Sequence, residues 1–135
     1  MKYIKISLSI FIFTLIFSAS YSKAIVSVIN DITIPSLSGI WTIGEEVAKY
    51  NSSEQKAMKT SCTDNLSGDE RAIEARTYDM YGGGNYSSWI VLSTSYKGWG
   101  SENTEYNTSY KIQLRAKSSL LTTATFYGRW MVDSQ

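Results

Sequence analysis

A chain of 135 residues that is 43% apolar, with one cysteine, one proline and no histidine, has material for one modest core. It has no partner for an intramolecular disulfide and none of the histidine-centred catalytic or zinc-binding arrangements. Its formal charge of +1 falls to about −2 once the leader described next is removed with Lys2, Lys5 and Lys23 and no acid. That argues against a nucleic-acid binder with a basic surface and against a cationic membrane-lytic peptide.

Lys2 and Lys5 precede an almost uncharged apolar run, residues 6–17, and small residues follow it. Ser22-Lys23-Ala24 fits the small-x-small pattern of a cleavage site, with Ser18-Ala19-Ser20 as an earlier alternative. Residues 1–24 therefore read as a signal peptide and residues 25–135 as a single secreted β-domain, beginning near Ile25 or, from the earlier site, near Tyr21. The apolar run is shorter than the roughly 18 residues a spanning helix needs. No later stretch is a candidate span or a lipid-anchor tail. The expected location is extracellular, with no membrane span in the mature chain.

Residues 26–35 end in Pro35 and suit an extended lead-in or an edge strand. A turn at Ser36-Leu37-Ser38-Gly39 opens onto Ile40-Trp41-Thr42-Ile43, and residues 45–50 read as loop. Residues 56–63 read as a strand with Met58, Thr60 and Cys62 on one face, so Cys62 is expected to be a small buried hydrophobe. The turn at residues 64–69 is followed by residues 70–81, where Ala72, Ala75 and Tyr78 fit a helix while Ala72, Glu74, Arg76, Tyr78 and Met80 fit one face of a strand; the flanking turns favour the strand. Gly82-Gly83-Gly84-Asn85 is a breaker, and Trp89-Ile90-Val91-Leu92 has the continuous apolar character of a buried strand. After a turn at residues 97–101 comes the clearest signal. From Tyr106 to Lys117 the series Tyr106, Thr108, Tyr110, Ile112, Leu114 and Ala116 alternates strictly with polar residues, which marks one buried and one solvated face. Ala124, Phe126, Gly128, Trp130 and Val132 repeat the pattern. Short strands divided by Gly, Ser and Asn turns indicate a mainly β protein, a small antiparallel β-sandwich or barrel.

Tyr110-Lys111-Ile112-Gln113-Leu114-Arg115-Ala116, a polar turn, and Tyr127-Gly128-Arg129-Trp130-Met131-Val132-Asp133-Ser134 resemble the close of a family of small exported Gram-positive proteins of unknown function, with its Gly-x-Trp-x-x-Asp-Ser ending. Residues 56–76 are similar to the same family, while Val132 stands where the family has proline. Gly39-Ile40-Trp41-Thr42-Ile43-Gly44 and Ala124-Thr125-Phe126-Tyr127-Gly128-Arg129-Trp130 resemble the lactococcin-type bacteriocins, secreted β-sandwich proteins that act on the cell-wall precursor lipid II. The histidines common in the front half of that family are missing here. The first resemblance implies a small exported domain, and the second an antibacterial factor acting at the cell wall.

Glu45 with Glu46, and Glu70 with Glu74, are the pairs that glycosidic acid–base chemistry would use. Adjacent loop acids point apart, and the second pair is flanked by Arg71 and Arg76, so solvated charge is the plainer reading. Asp64, Asn65, Asp69 and Glu70 lack the spacing of a calcium loop. No metal or cofactor is expected. Ten tyrosines and four tryptophans are the functional surplus, suited to stack on sugar rings or anchor a protein interface. Trp89 and Trp130 lie in apolar patterns and are assigned to the core. Trp99, between Gly98 and Gly100 in a turn, is the leading contact residue, with Trp41 and Tyr96 beside it as candidates. Asn51, Asn65, Asn85 and Asn107 stand in glycosylation sequons, read as coincidental in a bacterial protein but as markers of solvent-facing positions. The expected function is non-enzymatic binding at the cell surface or cell wall, to a wall or protein partner. A bacteriocin-like factor is the alternative, and a small carboxylate-based glycosidase the third.

Overall fold

The computed structural model describes residues 24–36, 39–43, 45–118 and 121–134. The expected leader lies outside them apart from Ala24. Among the described residues there are nine strands: β1 (Ile25–Ile34), β2 (Trp41–Thr42), β3 (Val47–Lys49), β4 (Lys56–Asp64), β5 (Ile73–Asp79), β6 (Ile90–Val91), β7 (Lys97–Gly98), β8 (Thr108–Ala116) and β9 (Ala124–Asp133). Sheet A has the order β1-β9-β4-β7; sheet B has β2-β8-β5-β6, with β3 pairing the same side of β8 as β2. All pairings are antiparallel. The sheets pack face to face as an open sandwich rather than a closed barrel. Among the described residues no helix is long and apolar enough to cross a membrane.

Alternation drives the arrangement. Tyr110, Ile112, Leu114 and Ala116 of β8 and Ile73 and Ala75 of β5 face Phe126, Trp130 and Val132 of β9 across the core. β8 and β9 therefore match their expected faces from Tyr110 onward, whereas Tyr106, expected on the buried face, is 56% exposed and lies ahead of the strand; Trp130 is fully buried. Residues 45–50, expected as loop, contain β3. Three residues are too few to carry a period, and it is the pairing of Val47, Ala48 and Lys49 with Tyr110, Ser109 and Thr108 that makes them a strand.

Three slips of register re-aim side chains. In β4 an extra residue sits at Thr60, between the Lys59–Gly128 and Ser61–Tyr127 pairs. The buried series is thus Ala57, Lys59, then Cys62 and Asp64, and Met58 and Thr60 do not share the face of Cys62. In β1 one extra residue lies between Ile29, opposite Gly128, and Ile32, opposite Phe126; Asp31 there has φ 53°. Both neighbours of β9 therefore bend at Gly128, where a Cβ would stand 2.5 Å from the Met58 carbonyl and 2.5 Å from the Phe126 ring. The third slip, between the Ile25–Asp133 and Val26–Met131 pairs, inserts Val132. It turns Asp133 inward although Val132 is also buried.

Inside, Asp133 meets Lys49. The ammonium is 3.0 Å from Asp133 Oδ1 and donates to the Val132 carbonyl at 2.8 Å, with both side chains almost wholly buried. The carboxylate also accepts the Tyr50 and Asn51 N–H groups, and Ser134 N–H donates to Ser53 Oγ. The Asp-Ser ending thus ties the last strand of sheet A to the β3 end of sheet B. Gln55 accepts from Trp130 Nε1 and donates to the Asn103 carbonyl. Asp64 accepts the N–H groups of Leu66 and Ser67, the Thr122 hydroxyl and Arg71. The Ser67 N–H, the Thr122 hydroxyl and the Leu66 N–H hold its carboxyl well below the usual carboxylate range, against the effect of burial. Burial pushes the Tyr110 phenol up to about 12, with Asp79 and Glu105 adding to the rise. Burial also raises the Cys62 thiol, which is free and enclosed.

Candidate functional site

The outer face of sheet B carries a linked set of polar, charged and aromatic side chains. On β5 the outward residues are Glu74, Arg76 and Tyr78; opposite them on β8 stand Arg115, Gln113 and Lys111. Arg115 Nε donates to Glu74 at 2.8 Å and Arg76 Nε to Gln113 at 2.8 Å, while Gln113 Nε2 donates to Thr42 of β2 at 3.0 Å. The row Thr42–Gln113–Arg76 spans three strands and fixes the arginine stem.

Residues 85–92 complete the face by running antiparallel along β5. Tyr86 bridges to Tyr78, Ser87 N–H donates to the Thr77 carbonyl, and Ala75 and Glu74 pair with Ile90 and Val91. The register slips by one residue between Ser87 and Ile90, so Ser88 and Trp89 share the position opposite Arg76. Ser88 turns away, its N–H and hydroxyl both bonded to Glu102. Trp89 turns onto the outer face, where it is half-buried.

The result is an alternating stack. Tyr78 and Tyr86 lie with centroids 4.5 Å apart and planes 27° from parallel. The Arg76 guanidinium is 4.0 Å from the Tyr86 centroid and 4.6 Å from Trp89, and the Arg115 guanidinium is 4.1 Å from Trp89. Such cation–π contacts orient the guanidinium without consuming its donors. Among the described residues only the Nε of each arginine has a hydrogen-bonding partner, so the terminal nitrogens remain able to grip an anion. With Lys111, three cations against Glu74 make this face basic, although the chain without its expected leader is slightly acidic. The arrangement offers flat rings, Tyr86 being 50% exposed, beside planar forked donors. That is the chemistry for a ligand with sugar-like faces and phosphate or carboxylate groups.

The expected contact residues are distributed differently. Trp99 is 4% exposed and belongs to the core. The glycines beside it, Gly100 at φ 62°, let the turn rotate the indole inward, where Nε1 finds the Ser88 carbonyl at 3.0 Å and the Trp99 N–H finds the Gln55 carbonyl. Trp89 is the reverse correction: assigned to the core, it stands on the outer face. Trp41, opposite Leu114 at the margin of sheet B, is 41% exposed. Tyr96, next to β7, is half-buried. Because β4 packs over β5 and β1 over β8, β2 and β7 lie at opposite lateral ends, and Trp41 and Tyr96 do not share a surface. Of the acid pairs, Glu70 is joined to Lys59 and Glu74 to Arg115, each carboxylate having its own cation. Arg76, Arg115 and Tyr86 were not legible as site residues, because the bonds that fix the arginine stems, Arg76 to Gln113 and Arg115 to Glu74, cross strands 37 and 41 positions apart in the chain, and the ring contacts depend on the slip at Ser88.

Comparison with family models, with curated proteins and with solved structures yields no match for this chain.

Proposed function

We propose that this protein is a secreted, non-enzymatic binding domain that attaches to an anionic glycopolymer of the cell surface through the outer face of sheet B. The observation that carries the reading is the Trp89 indole held by two guanidinium groups, next to the Tyr78–Tyr86 stack. The rings are preoriented, so binding loses little side-chain entropy, and the arginines supply charge-assisted hydrogen bonds to phosphate or uronate oxygens. The export signal read in residues 1–24 and the absence of histidine chemistry point the same way.

The test is co-sedimentation of purified protein with Gram-positive cell walls, before and after the anionic polymers are stripped from them. Binding is expected to depend on those polymers, to weaken with salt, and to fall at least about tenfold in Trp89→Ala and in Arg76→Ala/Arg115→Ala, the scale of losing an interface anchor. Unchanged binding in both variants would overturn the assignment of the face.

A further inference from the structure

We propose that the protein forms a twofold dimer by pairing the free edge of β1 with the same edge of a second copy, antiparallel about an axis midway between the two copies' Ser27 residues. Four of the five strands that border solvent, β2, β3, β6 and β7, are two or three residues long, the brevity by which sheets avoid edge pairing. β1 is the exception at ten residues. Among the described residues its backbone makes hydrogen bonds with β9 alone, which leaves the outward N–H and C=O groups of the other edge without a protein partner.

The sequence of that edge is its own complement. Ile25-Val26-Ser27-Val28-Ile29 reads the same in both directions. Pairing Ser27 with Ser27 therefore sets Val26 against the second copy's Val28 and Ile25 against its Ile29, the isologous contact a twofold axis requires. Val26 and Val28 are 42% and 59% exposed, and β-branched cross-strand pairs stabilise a ladder. No charged side chain lies within the five residues, so none is buried or set against its like. An open groove of about 370 Å³, lined by Ser27, Ile29, Ile32, Ile43 and Glu45 among others, runs beside the same edge. The second copy would cover it. The Asn30–Asp31 bulge ends the pairing, as bulges do at the margin of an edge strand. Removal of the leader after Ala24 would add charge complementarity, because the new α-ammonium at Ile25 falls just beyond the second copy's Ile29, towards its Asp31.

The pairing has a geometric consequence for the proposed function, on which this one inference rests. An axis normal to sheet A keeps both copies the same way up, so the two outer faces of sheet B look in one direction. One polymer could then engage both, with the gain in avidity that linkage gives.

Sedimentation velocity tests the dimer independently of wall binding. The expected species has twice the mass of the chain, and Val26→Lys/Val28→Lys should sediment as a monomer with an unchanged circular dichroism spectrum, because both side chains are already exposed. Ser27→Cys fixes the register: two such thiols opposite one another should join on oxidation into a dimer that reduction releases, Cys62 being enclosed. A monomeric parent protein at about 100 µM, where a dimer of micromolar affinity would be well populated, would overturn the proposal. So would a dimer that survives both lysines, or a Ser27→Cys variant that fails to cross-link. If the parent is monomeric yet captures an extended peptide at β1, the edge recognises something other than a second copy and the proposal fails.

Discussion

The indole of Trp99 donates to the carbonyl of Ser88 at 3.0 Å, and Ser88 is the residue at which residues 85–92 slip against β5. The bond therefore joins a tryptophan in the core to the backbone directly behind the tryptophan on the surface. Trp99→Phe should retain most of the ring volume while leaving the Ser88 carbonyl without its donor, at a cost of about 1–3 kcal/mol. Trp99→Ala should cost about 3–5 kcal/mol through the added cavity. Urea denaturation measures both. In Trp99→Phe the indole N–H resonance of Trp89 should move in the folded state, because the slip that presents it is loosened; an unmoved resonance would show that Glu102 alone holds Ser88.

Lys49 and Asp133 form a buried pair whose partners are otherwise backbone groups. Lys49→Met strands a carboxylate and Asp133→Leu strands an ammonium, so each single change should destabilise by about 3–5 kcal/mol. The double variant should lose less than the sum of the two, by about 1–3 kcal/mol in a double-mutant cycle. It will not recover fully, because the N–H groups of Tyr50 and Asn51 also lose their acceptor. Additive losses would mean that the two charges act separately.

Gly128→Ala places a methyl group against the Met58 carbonyl and the Phe126 ring, both 2.5 Å from the Cβ position. Backbone on one side and a packed aromatic on the other leave little room to yield. The expected loss is about 1–3 kcal/mol or more, read as a lower midpoint in thermal unfolding. A neutral result would show that the paired bulges in β1 and β4 have slack.

Asp64 supplies a pH dependence with a definite sign. Its carboxyl is depressed in the folded state by the Ser67 and Leu66 N–H groups and the Thr122 hydroxyl. Its contribution is therefore complete above the ordinary carboxylate pKa of about 4 and is lost as pH falls toward the folded value. Asp64→Asn removes the contribution at every pH. The gap in melting temperature between parent and variant should be widest near neutrality and narrow steadily as pH falls from about 5 to 2. A gap of constant width would mean that the turn relies on acceptor geometry and not on charge.

What the sequence disclosed followed from how local each cause is. The faces of β8 and β9 were legible because Tyr110 to Ala116 and Ala124 to Val132 each separate core from surface by simple alternation. The interruptions were not. Thr60 looks like an ordinary strand residue and Asn30–Asp31 is only a weak turn signal, and both bulges fall opposite Gly128, on a strand far along the chain. The surplus of aromatics directed attention to rings, yet Trp89 and Trp99 exchanged places. An apolar run argued for burying the first and flanking glycines for exposing the second. The slip at Ser88, and the hydrogen bond that stabilises it, involve neither pattern.

Ile25 pairs with Asp133 and Ile34 with Ala124, so the first strand of sheet A is completed by the last. Since β9 also separates β1 from β4, neither strand can find its long partner until β9 itself, the last of the described strands, has been made. Closing so large a loop is slow compared with local hairpin formation. During synthesis the chain must therefore remain without its principal sheet until β9 has left the ribosome, which leaves the long strands β1 and β4 unpaired for most of that time.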